Sequence, residues 1–245
     1  CRRGMNIHSL VTRTPSLTAP ASAPPAPTDR PRSGRAGGQA GRAGGQAGRA
    51  GGQAGRAEAP ADKRDAIMAA ALELFVERGF HGTAVPEVAA RAGVGAGTIY
   101  RYFASKEALV NTLYQQLKLD LTGRLLRGFV VGGPARETFR GLWARMSEFV
   151  DDQPKAFAFL ELHHHAAYLD DRSRAMEGRM HDLMTRFIEQ AQARGELRRA
   201  PPCLLIGVVL GAFTGVVRWA WEYRQPLTAD TWALAEQCAW EAVRS

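Results

Sequence analysis

The chain has 245 residues, of which 45% are hydrophobic and 23% charged. This length and composition allow one large domain or two small ones with a true hydrophobic core. The three cysteines are odd in number and far apart in sequence, which excludes a disulfide framework and zinc-finger spacing and favours the reducing cytoplasm.

The net charge of +8 is concentrated near the N-terminus. Residues 1–61 hold nine Lys/Arg against two acidic residues and so contribute +7 of it. Residues 62–107 hold six basic and six acidic residues and are formally neutral. Any DNA affinity in that part must therefore come from the placement of side chains and not from bulk charge.

Residues 1–61 form a tail of low complexity. The heptad GRAGGQA occurs three times over residues 34–54 and restarts at Gly55. The repeat has no apolar residue larger than Ala to bury, so we predict disorder. Two interpretations remain open: a cationic arm that follows DNA phosphates, or an inert extension. No apolar stretch of the kind found in a secretory signal follows Arg2 and Arg3, so we predict no export.

Helical periodicity begins at Lys63 and predicts a first helix that ends near Gly79. Its apolar residues recur at helical spacing: Ile67, Ala70, Ala71, Leu74 and Phe75. A second helix is predicted with Thr83 as its cap and Pro86 in its first turn. Gly93 then supplies the backbone freedom that a sharp turn between helices needs.

A short third helix is predicted from about Ala96 to Phe103. Ile99 and Phe103 can anchor one side of it, which leaves the other side chains wholly or partly exposed. Hydroxyls there can bind phosphates, an arginine can reach phosphate or guanine, and small residues allow close approach to bases. Those residues are Thr98, Tyr100, Tyr102, Arg101, Ala96 and Gly97. Ser105 is predicted to cap the next helix, where Lys106 suits a further phosphate. A purely structural helix corner is the alternative.

Residues 63–113, which include GTAVPEVAARAGVGAGTIYRYFASKEALV, closely resemble the DNA-binding domain of the TetR family of bacterial transcriptional regulators. The resemblance implies a helix-turn-helix that binds DNA. It implies phosphate contacts at Thr83, Thr98, Tyr100, Tyr102 and Lys106, and positions near base edges for Ala96, Gly97 and Arg101. Gly95 and Ala84 depart from the family pattern, which often has a capping serine and a hydroxyl residue at these positions.

Helical periodicity continues beyond Leu109, and no strand pattern competes with it. Leucines spaced by four form one stripe along a long helix that would connect two domains: Leu109, Leu113, Leu117, Leu121 and Leu125. Further helices are predicted at 134–150, 154–165, 171–194, 201–224 and 228–244. The predicted fold class is all-α, with about nine helices. We expect a helix-turn-helix DNA-binding domain over 62–108 and a C-terminal helical effector-binding and dimerisation domain over 109–245.

The segment CLLIGVVLGAFTGVV, residues 203–217, is apolar on all sides. Its fifteen residues are fewer than the ~18 to 20 that a membrane helix needs, so burial between protein surfaces is predicted. Gly207, Gly211 and Gly215 recur every four residues and allow close helix packing. The resemblance implies a dimer interface on the last two helices, with Trp219 among its anchors. Burial inside one subunit is the alternative.

Three adjacent histidines, His163 to His165, suggest a metal site. Adjacent helical residues diverge by about 100°, so these imidazoles cannot converge on one ion, and no metal is predicted. Effector-binding residues cannot be named, because a pocket and a helical core use the same aromatic and methionine side chains. The sequence contains no catalytic motif, and neither an enzyme nor a cofactor is predicted.

Together with these patterns, the resemblance implies a dimeric repressor that binds a pseudo-palindromic operator and is released by a small, apolar effector. An activator or a ligand-independent regulator of the same fold is the first alternative. A protein that compacts DNA nonspecifically through its basic tail is the second.

Overall fold

The computed structural model describes residues 60–163, 165 and 167–245. The predictions made for the tail, residues 1–61, fall on residues that the structure does not describe, except at residues 60 and 61. There the first helix already begins, at Pro60.

The described residues form nine α-helices and one π-helix, and an isolated bridge between Leu197 and Arg244 is their one β-type pairing. The all-α prediction is therefore confirmed. In chain order, the helices are α1 (Pro60–Arg78), α2 (Val85–Arg91), α3 (Ala96–Tyr102), α4 (Lys106–Leu125), α5 (Ala135–Asp152), α6 (Pro154–Phe157), the π-helix (Ala158–Leu162), α7 (Asp171–Ala193), α8 (Pro202–Glu222) and α9 (Ala229–Val243).

The first three helices pack around the apolar faces that their periodicity predicts. Phe75 of α1, Val88 of α2 and Ile99 of α3 are each at most 1% exposed and belong to one core. Gly93 has a φ of 67°, which a residue with a Cβ rarely adopts, and so permits the turn between α2 and α3. The helix-turn-helix thus follows from sequence periodicity and one glycine.

Helix α4 is the long connecting helix that the leucine stripe predicts. Its first turn is capped by the Ser105 hydroxyl, which accepts the Ala108 N–H at 3.2 Å, as expected. Leu109, Leu113 and Leu121 are buried. The helix packs against α1, α5 and α7, and thereby joins the first three helices to the rest of the described chain.

The structure corrects two local predictions. Ala84, and not Thr83, is the N-cap of α2, because the Thr83 hydroxyl donates to carbonyls at the end of α1. The helix predicted to reach His165 ends at Leu162. The imidazole of His165 binds the Phe159 carbonyl, which a continuing helix would pair with a backbone N–H instead.

Helix α8 lies within the predicted range 201–224 and extends beyond the apolar segment 203–217 at both ends. At 21 residues it is the single described helix long and apolar enough to cross a membrane, yet only 22% of its most apolar stretch is buried. Several of its apolar residues are exposed, among them Leu204 and Trp219, so the helix is not fully buried within one subunit.

Candidate nucleic-acid interface

Helix α3 begins at Ala96, and Gly95 occupies its N-cap position without a side chain to cap the helix. Its φ of −71° is accessible to any residue. The turn before it is closed by a hydrogen bond from the Val94 N–H to the Ala89 carbonyl, at 3.0 Å. Helix α3 is therefore positioned by backbone hydrogen bonds and by the buried Ile99.

The outward face of α3 has small residues at its N-terminal end, followed by two long side chains. Ala96 and Gly97 are exposed, and a Cβ placed on Gly97 would meet no atom within 4 Å. Tyr100 is 56% exposed and Arg101 is also exposed. This face can approach a groove closely at its N-terminal end and offer a hydroxyl and a guanidinium beyond it.

Arg101 lies against the half-buried ring of Tyr102. Its guanidinium carbon is 5.2 Å from the ring centroid, and Nη2 is 3.4 Å from the Tyr102 hydroxyl oxygen. A cation over an aromatic face is held in place by the ring quadrupole. The arginine is thus oriented before any ligand arrives. Thr98, one turn earlier, is half-buried.

Thr83 lies in the interior and not on this face. It is 1% exposed, and its hydroxyl is 3.1 Å from the Leu74 carbonyl and 2.9 Å from the Gly79 carbonyl. A hydroxyl has one proton to donate, and these carbonyls at the end of α1 use it. The arrangement gives Thr83 a structural role, so its side chain does not belong to the exposed face of α3.

Lys106 ties the loop between α1 and α2 to the start of α4. Its ammonium donates to the Phe80 carbonyl at 2.8 Å and to the Thr83 carbonyl at 2.9 Å. It also lies 4.2 Å from the centroid of the Phe80 ring. An ammonium has three donors, so Lys106 can hold this loop and still donate one hydrogen bond to a phosphate.

Two other basic residues, Arg78 of α1 and Arg91 of α2, are paired with acids. Arg91 lies 3.2 Å from both Glu73 and Glu77, and Arg78 lies 2.6 Å from Glu87. The hydrogen bond from Arg91 lowers the pKa of the Glu77 carboxyl, so the pair is charged at neutral pH. These pairs neutralise the charges of Arg78 and Arg91.

Arg64 is a candidate that the sequence reasoning missed. Its guanidinium carbon is 5.7 Å from the centroid of Phe103, the residue that ends α3. This contact places a cation from the start of α1 beside the C-terminal end of α3. No local pattern indicates it, because the two residues meet only after the three helices have packed.

A chain of aromatic contacts connects this unit to the C-terminal helices. Phe80 stacks on Tyr168 with ring centroids 4.3 Å apart. The Tyr168 hydroxyl oxygen lies 2.7 Å from His165 Nδ1, and the Tyr168 carbonyl accepts from the Asn111 side chain of α4, also at 2.7 Å. The loop between α1 and α2, which carries Phe80, therefore contacts the segment that follows the π-helix.

A helix-turn-helix with an exposed second helix, followed by a helical bundle, defines a class of DNA-binding regulators. Comparison with known proteins narrows the class. The family described as "Bacterial regulatory proteins, tetR family" matches residues 67–113, and "Tetracyclin repressor-like, C-terminal domain" matches residues 114–245. The chain belongs to the TetR family of bacterial regulatory proteins.

Individual relatives agree with this assignment. The transcriptional regulator RutR of Escherichia coli K12 is 39% identical over 88 residues, which cover 36% of this chain and 38% of RutR. The transcriptional repressor KstR2 of Rhodococcus jostii is 30% identical over 99 residues, which cover 40% of this chain and 48% of KstR2. The chain thus spans less than half the length of these curated relatives.

Solved structures match over a longer range. A TetR family transcription regulator from Marinobacter aquaeolei VT8 is 25% identical and superposes with a TM-score of 0.66. The match covers 76% of this chain and 97% of that one. The fold described above is therefore that of the family through both its N-terminal and its C-terminal helices.

Proposed function

We propose that this protein is a cytoplasmic bacterial repressor that binds a pseudo-palindromic operator as a dimer and releases it when a small effector binds. Residues 62–108 would read the DNA, and residues 109–245 would dimerise and bind the effector. The observation that carries the proposal is the exposed face of α3, which has the composition expected of a recognition helix.

The residues of this face divide into two roles. Ala96, Gly97 and Arg101 would lie near base edges. Tyr100, Tyr102, Thr98 and Lys106 would bind phosphates, which fix the position of α3 without reading sequence. Arg64 would add a further phosphate contact at the end of α3.

Two substitutions test these roles. Tyr100→Phe removes one phosphate donor and should weaken binding to the operator and to random DNA by a similar factor. Arg101→Ala should cost about 1 to 3 kcal/mol on the operator and relax the preference at one base position. Both can be measured by fluorescence anisotropy at fixed salt. Equal losses on operator and random DNA for Arg101→Ala would contradict its base-contact role.

The dimer is supported by the exposed face of α8. Five of its residues lie on one stripe, since they follow each other at helical spacings of four, three, four and four: Leu204, Val208, Gly211, Gly215 and Trp219. All five are exposed, Leu204 at 55% and Trp219 at 46%. Gly207 lies beside this stripe and is half-buried. An apolar stripe of this length is typical of a surface that a protein partner covers.

The effector would act by changing the spacing of the two recognition helices. An operator accepts only one spacing, so a ligand that favours another spacing lowers DNA affinity by population shift. A loss of tenfold to a hundredfold needs about 1.4 to 2.8 kcal/mol of coupling. The Phe80–Tyr168 stack and α4 offer physical contacts through which this coupling can pass.

A further inference from the structure

An aromatic cluster lies inside the C-terminal helices, with Phe213 of α8 at its centre. The Phe213 ring centroid is 4.9 Å from that of Trp143 on α5, 5.0 Å from Trp232 on α9 and 5.8 Å from Phe157 on α6. All four side chains are at most 7% exposed. Each of four helices thus contributes one uncharged aromatic side chain to the cluster.

Two buried donors in this cluster have no acceptor. The indole nitrogens Nε1 of Trp143 and Trp232 are enclosed and have no hydrogen-bond partner among the described residues. The two side chains are 5% and 7% exposed. Buried tryptophans usually satisfy their N–H groups. A pair of unsatisfied donors around one phenylalanine is therefore a feature that ordinary core packing does not explain.

The backbone beside this cluster has an irregularity of its own. Phe157 is the last residue of α6, and the π-helix begins at the next residue. Short π-helical segments are rare and occur frequently at functional sites. The same π-helix carries Phe159, whose carbonyl is bound by His165, and His165 in turn contacts Tyr168. Phe159, His165 and Tyr168 thus link the backbone beside the cluster to Phe80.

We propose that this cluster is the effector site, and that its ligand is a flat, apolar molecule with a neutral hydrogen-bond acceptor such as a ketone. This inference rests on the proposed function. The rings supply the apolar and stacking contacts, and an indole N–H donates to the acceptor. Because the rings contact one another, the ligand must displace at least one of them and so stabilises a minor, open conformation.

Two probes of nearly identical shape test the role of the donors. 2-Acetylnaphthalene carries a ketone, and 2-ethylnaphthalene is the hydrocarbon without an acceptor. Binding of both to the full chain can be measured by equilibrium dialysis. We expect the ketone to bind roughly tenfold more tightly than the hydrocarbon, since only the ketone satisfies a buried donor. No binding of the ketone, or equal binding of the two probes, would overturn the proposal.

Substitutions then locate the site. Trp143→Phe and Trp232→Phe keep an aromatic ring but remove the N–H, and at least one of them should weaken ketone binding roughly tenfold more than it weakens hydrocarbon binding. Trp240→Phe is the matched control, because Trp240 is a half-buried tryptophan of α9 that packs on Phe139 outside the cluster, and it should change neither. Thermal melts check that the variants fold, which we expect because each loses an unsatisfied donor. Unchanged ketone binding in both cluster variants would overturn the proposal.

DNA binding by the wild-type protein is measured separately, against its operator and random DNA. A protein that prefers no DNA sequence would contradict the proposed function, whatever the probes do. A protein that reads its operator but shows no ketone preference would contradict only the site assigned to the aromatic cluster.

Discussion

His165 is a buried ionisable group in the contact between the helix-turn-helix unit and the C-terminal helices. It is 6% exposed, its Nδ1 lies 2.7 Å from the Tyr168 hydroxyl, and its ring packs against Tyr114 and Phe159. Burial lowers the pKa of this imidazole to about 4, so the ring is neutral at pH 7. Its role here is that of a neutral hydrogen-bonding residue.

This pKa predicts a loss of stability in mild acid. Below pH 6.5 the unfolded chain protonates this histidine while the folded protein does not, so the free energy of unfolding falls as the pH falls toward 4. His165 should account for about 2 kcal/mol of loss between pH 7 and pH 5. Urea unfolding at both pH values measures it. The His165→Asn variant is less stable at pH 7 but should lose less on acidification, and equal losses in both proteins would contradict the account.

The sequence predicts some DNA-facing residues better than others. Exposure of Tyr100 and Arg101 follows from helix periodicity once Ile99 and Phe103 are taken as anchors. The burial of Thr83 does not follow from any local pattern, because it depends on where the last carbonyls of α1 lie. Arg64 was missed for the same reason, since its contact with Phe103 forms only in the packed structure.

At the scale of elements, the exposed stripe of α8 gives the sharpest test of the dimer. A Cβ on Gly211 would meet no atom within 4 Å, and the same is true of Gly178 on α7. Gly211→Leu should therefore leave one subunit intact but block close packing of two α8 helices, so that light scattering reports monomers at micromolar concentration. Gly178→Leu is the matched control and should stay dimeric.

A dimer that survives the Gly211→Leu substitution would contradict an interface on this stripe. A variant that fails to fold would show in its circular dichroism spectrum, and the control would identify any general effect of adding leucine to a helix. Both substitutions replace a helical glycine, so they gain similar helix propensity.

The helices themselves were largely predictable, and the π-helix was not. Periodicity, capping residues and prolines predict the starts of α4 and α5 and the end of α1 to within a few residues. The end of the segment 154–165 was wrong, because His165 replaces a backbone donor at the Phe159 carbonyl. The hydrophobic periodicity of a helix does not show that a side chain beyond its end, here His165, will bind one of its carbonyls.

At the scale of the whole molecule, the basic charge and the DNA-reading surface belong to different parts of the chain. Residues 1–59 contain nine basic and two acidic residues, whereas the proposed reading surface depends on a few placed groups. Deleting residues 1–59 should therefore keep the preference for the operator over random DNA. Titrations at several salt concentrations should show whether nonspecific affinity and its salt dependence fall, as they would if the tail contacts phosphates. Loss of affinity for the operator and for random DNA together would favour a protein that compacts DNA through its tail.

The central claim is that α3 reads a specific sequence as one half of a dimer. Selection of bound DNA from a random pool, with the protein lacking residues 1–59, tests it most directly. The account predicts a pseudo-palindromic consensus with one fixed half-site spacing, because two α3 helices held by one dimer can enter only grooves a set distance apart. A pool that shows no enriched sequence after selection, or a single half-site without a symmetric partner, would contradict the account.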